Sequence, residues 1–229
     1  MSVIKTKNIT CLLVGIICSL GPVSAETVTF QQGVDNYAGT SDTSLFQDKP
    51  DTMISGSKGL FVQNGEKDGE PNQRHILIRF DDIFGAGPNQ IPADATIDNA
   101  TVTMVCQYGY SPDGGLEVFE LIRPFKDGTT WNNFGDGVTV GEDTASDPVG
   151  AFSIFSNKKD NAVVDVTASI TAWVANPSAN LGWSILEADR VGFDGTSAAF
   201  ASEAEAVETR PILTVEFTPA EPADPTEPE

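Results

Sequence analysis

The chain has 229 residues, 40% of them hydrophobic, and this share is enough to build the core of one or two globular domains. Thirteen Lys and Arg residues stand against 33 Asp and Glu residues, so the net charge at pH 7 is -20. This charge argues against nucleic acid or an anionic membrane surface as the partner. With one His and three Cys, the chain cannot build a multi-histidine metal centre or a disulfide framework by itself.

The N-terminus has the pattern of a secretory signal peptide. Lys5 and Lys7 precede an apolar stretch from Cys11 to Leu20, and Val23-Ser24-Ala25 supplies the small residues of a cleavage site. We expect cleavage after Ala25, a secreted protein located outside the cell or on its surface, and no membrane span. The mature chain then keeps Cys106 as its single cysteine, which its strand pattern predicts to be buried.

Apolar residues at every second position dominate the mature sequence and predict strands. Clusters of Gly, Asn, Asp and Pro between these segments predict turns, among them residues 85–89, 111–115 and 135–137. One side of each strand is apolar and the other polar, which favours an all-β, two-sheet antiparallel β-sandwich with one wet face per sheet. The predicted strands are Thr27–Phe30, His75–Phe80, Thr101–Cys106, Leu116–Ile122, Ala162–Val166, Leu181–Leu186 and Ile212–Phe217.

One short helix is predicted at Thr167–Val174. Apolar residues recur there at helical spacing, Asp165 or Thr167 can cap the start, and Asn176-Pro177 can end it. We expect the helix to cover one open end of a single domain spanning residues 26–217. Residues 218–229 are acidic and rich in proline, and they predict a disordered tail.

Several motifs occur in an order that is similar to a known family. They are Phe30 to Thr43, Ile78-Arg79-Phe80-Asp81, Ile91 to Ile97, Ala100-Thr101-Val102, Thr130-Trp131-Asn132, Val164 to Thr167 with Trp173, Asn180-Leu181-Gly182-Trp183, Phe200 to Glu203 and Arg210 to Leu213. Together they resemble the DNRLRE-type domain, also classed as carbohydrate-binding module family 96. The resemblance implies a β-sandwich of jelly-roll type and a role in glycan binding or at the cell surface, with alginate-like polysaccharides among the ligands. The acidic mature chain should repel such a polyuronate unless cations bridge the charges.

A calcium site is predicted in the loop that follows the first strand. Asp35, Asn36 and Asp42 offer the carboxylate and amide oxygens that Ca²⁺ prefers. The alternative is that these residues form Asx-turns without a metal. Further carboxylates with the same potential are Asp81, Asp82, Asp136, Glu142 and Asp143.

Aromatic side chains in turn-rich segments are candidates for sugar stacking, because pyranose rings dock on exposed flat rings. We expect Tyr108, Tyr110 and Trp131 to contact the ligand, with Arg123 gripping a carboxylate or a pair of hydroxyls. The alternative is that these aromatic rings anchor loops. Trp173 and Trp183 fit the core pattern, and Arg79 and Arg210 are expected to pair with acidic residues inside the fold.

Catalysis has little support in the sequence. His75 is the only histidine, we expect it at the surface or on an edge strand, and no Gly-x-Ser-x-Gly motif accompanies it. A carboxylate pair for glycoside hydrolysis stays open, because 33 acidic residues guarantee chance pairs.

The sequence therefore favours a non-catalytic, polysaccharide-binding secreted protein with structural calcium. One alternative is an adhesive subunit that assembles by β-strand addition, with Thr27–Phe30 as the donated strand. Another is a module of a larger enzyme.

Overall fold

The computed structural model describes residues 24–155, 161–188 and 196–221. Most of the predicted signal peptide and most of the predicted tail lie outside these ranges. The elements are β1 (Glu26–Gln31), β2 (Thr40–Phe46), β3 (Gly59–Lys67), β4 (Glu70–Phe80), β5 (Thr96–Tyr108), β6 (Tyr110–Glu120), β7 (Gly150–Phe155), β8 (Asn161–Asp165), α1 (Thr167–Ala175), β9 (Trp183–Glu187), β10 (Ser197–Phe200) and β11 (Ile212–Thr218).

The strands form two antiparallel sheets. The first has the order β1-β11-β5-β8, and the second has the order β2-β4-β9-β6-β7. Strand β3 forms a hairpin with β4, and β10 bridges the two sheets by pairing with β3 and β5. The predicted all-β antiparallel sandwich with one helix is confirmed, and the jelly-roll type stays a prediction.

The main core lies between the two sheets. Alternate residues of β4 and β6 point into it, including Ile76, Ile78 and Leu116, and β11 contributes Leu213 and Val215. The two predicted core tryptophans, Trp173 and Trp183, are confirmed, since they are buried with ring centroids 4.7 Å apart. Cys106 is also buried, as predicted.

The outer face of the second sheet carries a second apolar cluster, which corrects the expectation of one wet face per sheet. Leu77 of β4, Phe119 of β6 and Leu186 of β9 lie on this face. They are covered by Phe125, Trp131, Phe134 and Val138, all from the long segment between β6 and β7. We call residues 121–149 the strap. The strap buries apolar surface that strand alternation alone would leave in water, which stabilises its attachment to the sheet.

Several strands were not predicted. Segments β2, β3, β7 and β10 contain Ser, Thr, Asn, Gly or Ala at many positions, so their apolar alternation is weak. Residues 111–115 were predicted as a turn, but they belong to β6. The predicted turns at residues 85–89 and 135–137 are confirmed, with positive φ at Gly85, Asn89 and Asp136.

The predicted helix is confirmed at the expected place. The Asp165 carboxylate accepts a hydrogen bond of 2.8 Å from the Thr167 N–H at its start. Hydrogen bonding with the Thr167 side chain, and then with its backbone, lowers the pKa of Asp165. Ile170, Trp173 and Val174 pack into the main core. No helix in the described ranges is long and apolar enough to cross a bilayer.

Candidate functional site

A groove opens on the outer face of the second sheet, where β4 changes its neighbour. Arg74 pairs with both β2 and β3, whereas Ile76 pairs with both β2 and β9. Because β2 occupies one side of β4 at both positions, β3 and β9 must share the other side. The two strands therefore fork next to His75, and the gap between them is bridged by the Glu187 carboxylate, which accepts a 3.0 Å hydrogen bond from the Asn64 N–H.

The groove has a volume of about 230 Å³ and a mixed lining. Its apolar surface comes from Phe119, Leu186 and Ala188 of the sheet side and from Val138 and Val140 of the strap, and its polar residues are Gln63, Asn64, Gln73, His75, Glu117 and Glu187. In this described lining there are two carboxylates and no Lys or Arg. Amides and imidazole can both donate to and accept from hydroxyl groups, and carboxylates accept from them, so the arrangement suits a polyhydroxylated ligand.

His75 is buried on the inner strand β4, which corrects the expectation of a surface or edge histidine. Its Nδ1 accepts a 2.9 Å hydrogen bond from the Val138 N–H of the strap, and its ring lies 4.9 Å from the Trp131 ring. Burial lowers the pKa of His75 to about 4, so the imidazole is neutral at pH 7. Because Nδ1 accepts, the proton of this neutral ring resides on Nε2.

The strap that walls the groove is held by Arg123 and Asp143. Arg123 Nη1 donates to the Phe134 carbonyl at 2.7 Å and to Asp143 Oδ1 at 3.1 Å, and the guanidinium lies over the Phe134 ring. The other oxygen of Asp143 accepts from the Thr139 N–H at 2.9 Å. Arg123 and Asp143, predicted as ligand and metal residues, are thus engaged in shaping the strap.

The four predicted ligand residues are not brought together by the structure. Trp131 is 5% exposed and packs from the strap onto the apolar cluster of the second sheet, so the prediction of a free stacking ring is corrected in favour of the loop-anchoring alternative. Tyr108 is 40% exposed at the end of β5, but it does not line the groove. The side chain of Tyr110 lies outside the described residues. Arg123 is occupied by its contacts within the strap.

The predicted calcium residues separate into two places. Asp35 and Asn36, both with positive φ, line a surface cavity of about 300 Å³ together with Asp82, Asn89 and Gln90. Asp42 instead lies on β2, where its carboxylate accepts a 2.7 Å hydrogen bond from the Ser202 N–H. Burial raises the pKa of Asp42 to about 6. Asp42 therefore does not join Asp35 and Asn36 around one ion.

Arg79 and Arg210, the other two arginines considered in the sequence, both bind partners within the fold. Arg79 Nε lies 2.7 Å from Asp81 Oδ1, so the predicted pairing of Arg79 with an acid is confirmed. Arg210 donates instead to the carbonyls of Ala204 and Gln32, which corrects the prediction of an acidic partner. Across the described residues, no group of three His, Cys, Asp or Glu side chains is placed to hold a metal.

The groove residues were missed because each looked like an ordinary polar position on a wet strand face. A signal was present, since Glu117 and Phe119 share one face of β6 and His75 and Leu77 share one face of β4. A strand face that carries both large apolar and polar residues is covered by other elements only in part. A groove forms at the boundary between its covered and its exposed part.

Comparison with protein-family models finds no family that matches this chain, and no curated protein matches it either. The likeness to the DNRLRE-type domain thus stays a resemblance of motifs.

Proposed function

We propose that the mature chain is a secreted, non-catalytic protein that binds an extracellular polysaccharide in the groove at the β3/β9 fork. The observation that carries the proposal is the lining of this groove, which contains both hydrogen-bonding and apolar side chains. A sugar ring presents hydroxyl groups at its edge and C–H groups on its faces, so it needs both kinds of contact. The resemblance of the sequence motifs to the DNRLRE-type domain, which implies a role in glycan binding, supports the same function.

The geometry favours binding over catalysis. The single imidazole of the chain uses Nδ1 to hold the strap, and its depressed pKa keeps it neutral. Glu187 uses Oε2 to bridge the fork. These two residues therefore maintain the shape of the groove, and a polymer lying across an open groove can be held by hydrogen bonds without bond cleavage.

The experiment is thermal unfolding of residues 26–229 with a panel of oligosaccharides, because a ligand of the folded state must raise its stability. Gln73→Ala removes a lining amide, and Gln107→Ala removes an amide on β5 outside the groove. We expect at least one oligosaccharide to raise the melting temperature, with the shift reduced only in the Gln73 variant. Equal shifts in both variants would place binding elsewhere, and no shift with any sugar would overturn the proposal.

Secretion is proposed from the sequence pattern of residues 1–25, and it has a direct test. Expression of the full chain with export intact should yield a protein that begins at Glu26, measured by intact mass. A protein that retains residues 1–25 inside the cell would contradict it.

We also propose that Ca²⁺ binds in the cavity of Asp35, Asn36 and Asp82, whose oxygens are of the kind that Ca²⁺ prefers. The measurement is the melting temperature with EDTA or with CaCl₂, at matched ionic strength. We expect calcium to stabilise the protein, and Asp82→Asn to remove this effect while the exposed Asp94→Asn keeps it. The same calcium response in both variants would exclude the cavity.

Assembly by strand addition requires a strand to leave its own sheet. Strand β1, the proposed donor, pairs with β11 of the same chain along its full length, Glu26 to Gln31. Donation would therefore break this ladder. Sedimentation velocity over a hundredfold concentration range distinguishes the two functions, and we expect one monomeric species.

A further inference from the structure

The groove lining indicates which class of glycan it accepts. Resting on the proposed function, we infer that the groove selects a polysaccharide with free amino groups, such as a glucosamine polymer, and that Glu117 is the specificity-determining residue.

Glu117 is placed on the open side of the sheet. It is directly opposite Leu186 of β9 in the antiparallel ladder, and directly opposed residues share a face. Leu186 lies in the apolar cluster of the outer face, and two residues further along β6 Phe119 lies there too. The Glu117 side chain therefore projects from the outer face, where it lines the groove half-buried.

Glu117 is available to a ligand. Other acidic side chains near the groove have a structural task, since Asp143 holds Arg123 and Glu187 bridges to Asn64. Over residues 24–155, 161–188 and 196–221, Glu117 makes no ion pair and no side-chain hydrogen bond. A half-buried carboxylate without a partner gains most from a cation that arrives with its own hydrogen-bond donors, and an ammonium group has three.

The rest of the lining agrees with a cationic ligand and disfavours an anionic one. The described lining pairs Glu117 with a second carboxylate, Glu187, and holds no Lys or Arg. A uronic acid would place a third carboxylate among them, and like charges at short range are repulsive. A neutral sugar would meet no repulsion, but it would leave Glu117 without a charged partner. The groove is thus complementary to protonated amino sugars.

The experiment compares short oligosaccharides of equal length by calorimetry at 150 mM salt and pH 6, with EDTA present. The set is a glucosamine tetramer, its N-acetylated counterpart, a neutral glucose tetramer and a uronic acid tetramer. Short ligands and moderate salt limit the general attraction between a polycation and an acidic protein. We expect the glucosamine tetramer to bind most tightly and the uronic acid tetramer to bind least.

Two variants with the same change in net charge separate a local contact from general attraction. Glu117→Gln keeps the shape of the side chain in the groove, and Glu216→Gln alters an exposed residue of β11 on the other sheet. Loss of one charge-assisted contact should weaken glucosamine binding about tenfold in the Glu117 variant. Binding in the Glu216 variant should change by less than about twofold.

The outcomes distinguish failure of the amino-sugar preference from failure of the proposed glycan binding. Equal losses in both variants would reduce the effect to general attraction and overturn the role of Glu117. Tighter binding of the neutral or uronic tetramer would overturn the amino-sugar preference, while leaving the proposed glycan binding intact. A chain that binds none of the four tetramers, and none of the wider panel, would overturn both. Circular dichroism of the two variants confirms that they are folded.

Discussion

At Gly182, just before β9, the backbone has a positive φ of 83° and the space beside Cα is filled. A Cβ atom there would collide with the Ile78 carbonyl oxygen, while the Arg79 Cα would lie 3.0 Å away. Gly56 has a similar φ of 80°, but no atom lies within 4 Å of the position of a Cβ. Alanine substitutions at these two positions therefore distinguish the free-energy cost of the backbone conformation, which both share, from the cost of the steric collision, which occurs only at Gly182.

We predict that Gly56→Ala lowers the free energy of unfolding by about 1 kcal/mol, the cost of a left-handed conformation for a residue with a Cβ. Gly182→Ala should lower it by about 3 kcal/mol or more, because β9 must also move away from β4. Urea denaturation measures both values. Equal losses would show that the sheet adjusts to the extra atom.

Two buried titratable residues have opposite effects on stability as the pH falls. The pKa of His75 is lowered from 6.5 to about 4, so its contribution is complete above pH 6.5 and is lost on acidification through about pH 4. The pKa of Asp42 is raised from 3.8 to about 6, so the folded state favours its protonated form. Acidification from about pH 6 to 3.8 therefore removes a penalty and adds stability.

We predict that single substitutions reveal these opposed effects. In His75→Asn, whose amide oxygen can replace Nδ1 as acceptor, acidification from pH 6.5 to 4.5 should stabilise the protein relative to the parent chain. In Asp42→Asn, the same acidification should destabilise the protein relative to the parent, by roughly 1 to 3 kcal/mol at about 1.4 kcal/mol per unit of pKa shift.

Denaturation curves at pH 6.5, 5.5 and 4.5 test this pair, and surface carboxylates cancel in each comparison because all three proteins share them. Parallel pH profiles for the parent and both variants would contradict the assigned protonation states.

At the scale of elements, the strap is the feature that departs most from the sequence-based expectation. It turns one face of the second sheet from a wet surface into a second apolar cluster, with the groove at its margin. Asp143 anchors the strap, since it accepts hydrogen bonds from both Arg123 and the Thr139 N–H. Removing the negative charge of this buried side chain weakens both bonds.

We predict that Asp143→Asn lowers the free energy of unfolding by about 2 kcal/mol and speeds protease cleavage within residues 121–149. Asp147→Asn, an exposed position of the same segment, is the matched control and should change neither quantity. Mass spectrometry of the first cleavage products locates the opening. Cleavage that begins elsewhere in both variants would show that the strap does not open as a unit.

Strands with strong apolar alternation could be predicted from the sequence, as could the helix, because Val164, Val166 and Ile170 follow the periods of their elements. Strand β2 could not, since Ser41, Asp42 and Thr43 read as a loop until the partner strand β4 is known.

The candidate site could not be assembled for a similar reason. The candidate site depends on the fork between β3 and β9, which is set by long-range strand pairing. It also depends on the strap, where the sequence around the aromatic residues fits an exposed loop as well as a buried one.

At the scale of the whole molecule, charge is the dominant property. Residues 26–229, the proposed mature chain, lack Lys5 and Lys7 and so have 11 basic and 33 acidic residues, a net charge of 11 − 33 = −22. Self-repulsion of this size opposes the compact state, and salt screens it over a distance of about 10 Å at 0.1 M.

We predict that the melting temperature rises by several degrees between 10 and 150 mM NaCl, and that choline chloride gives the same rise. Differential scanning fluorimetry measures both series. Agreement between the two salts identifies screening, whereas a response to one cation alone would show specific binding. A melting temperature that is independent of salt would mean that the acidic residues are too widely spread to repel one another.

The burial of Cys106 supplies an internal reporter of how the sandwich opens. This thiol lies on β5, which pairs with β8, β10 and β11. Strand β5 thus joins the first sheet to β10, the strand that connects the two sheets. Residues 26–229, the proposed mature chain, contain no other cysteine, so in this form a thiol reagent can react at one place and only when β5 is uncovered. The reaction rate then reports the free energy of opening under native conditions, without denaturant.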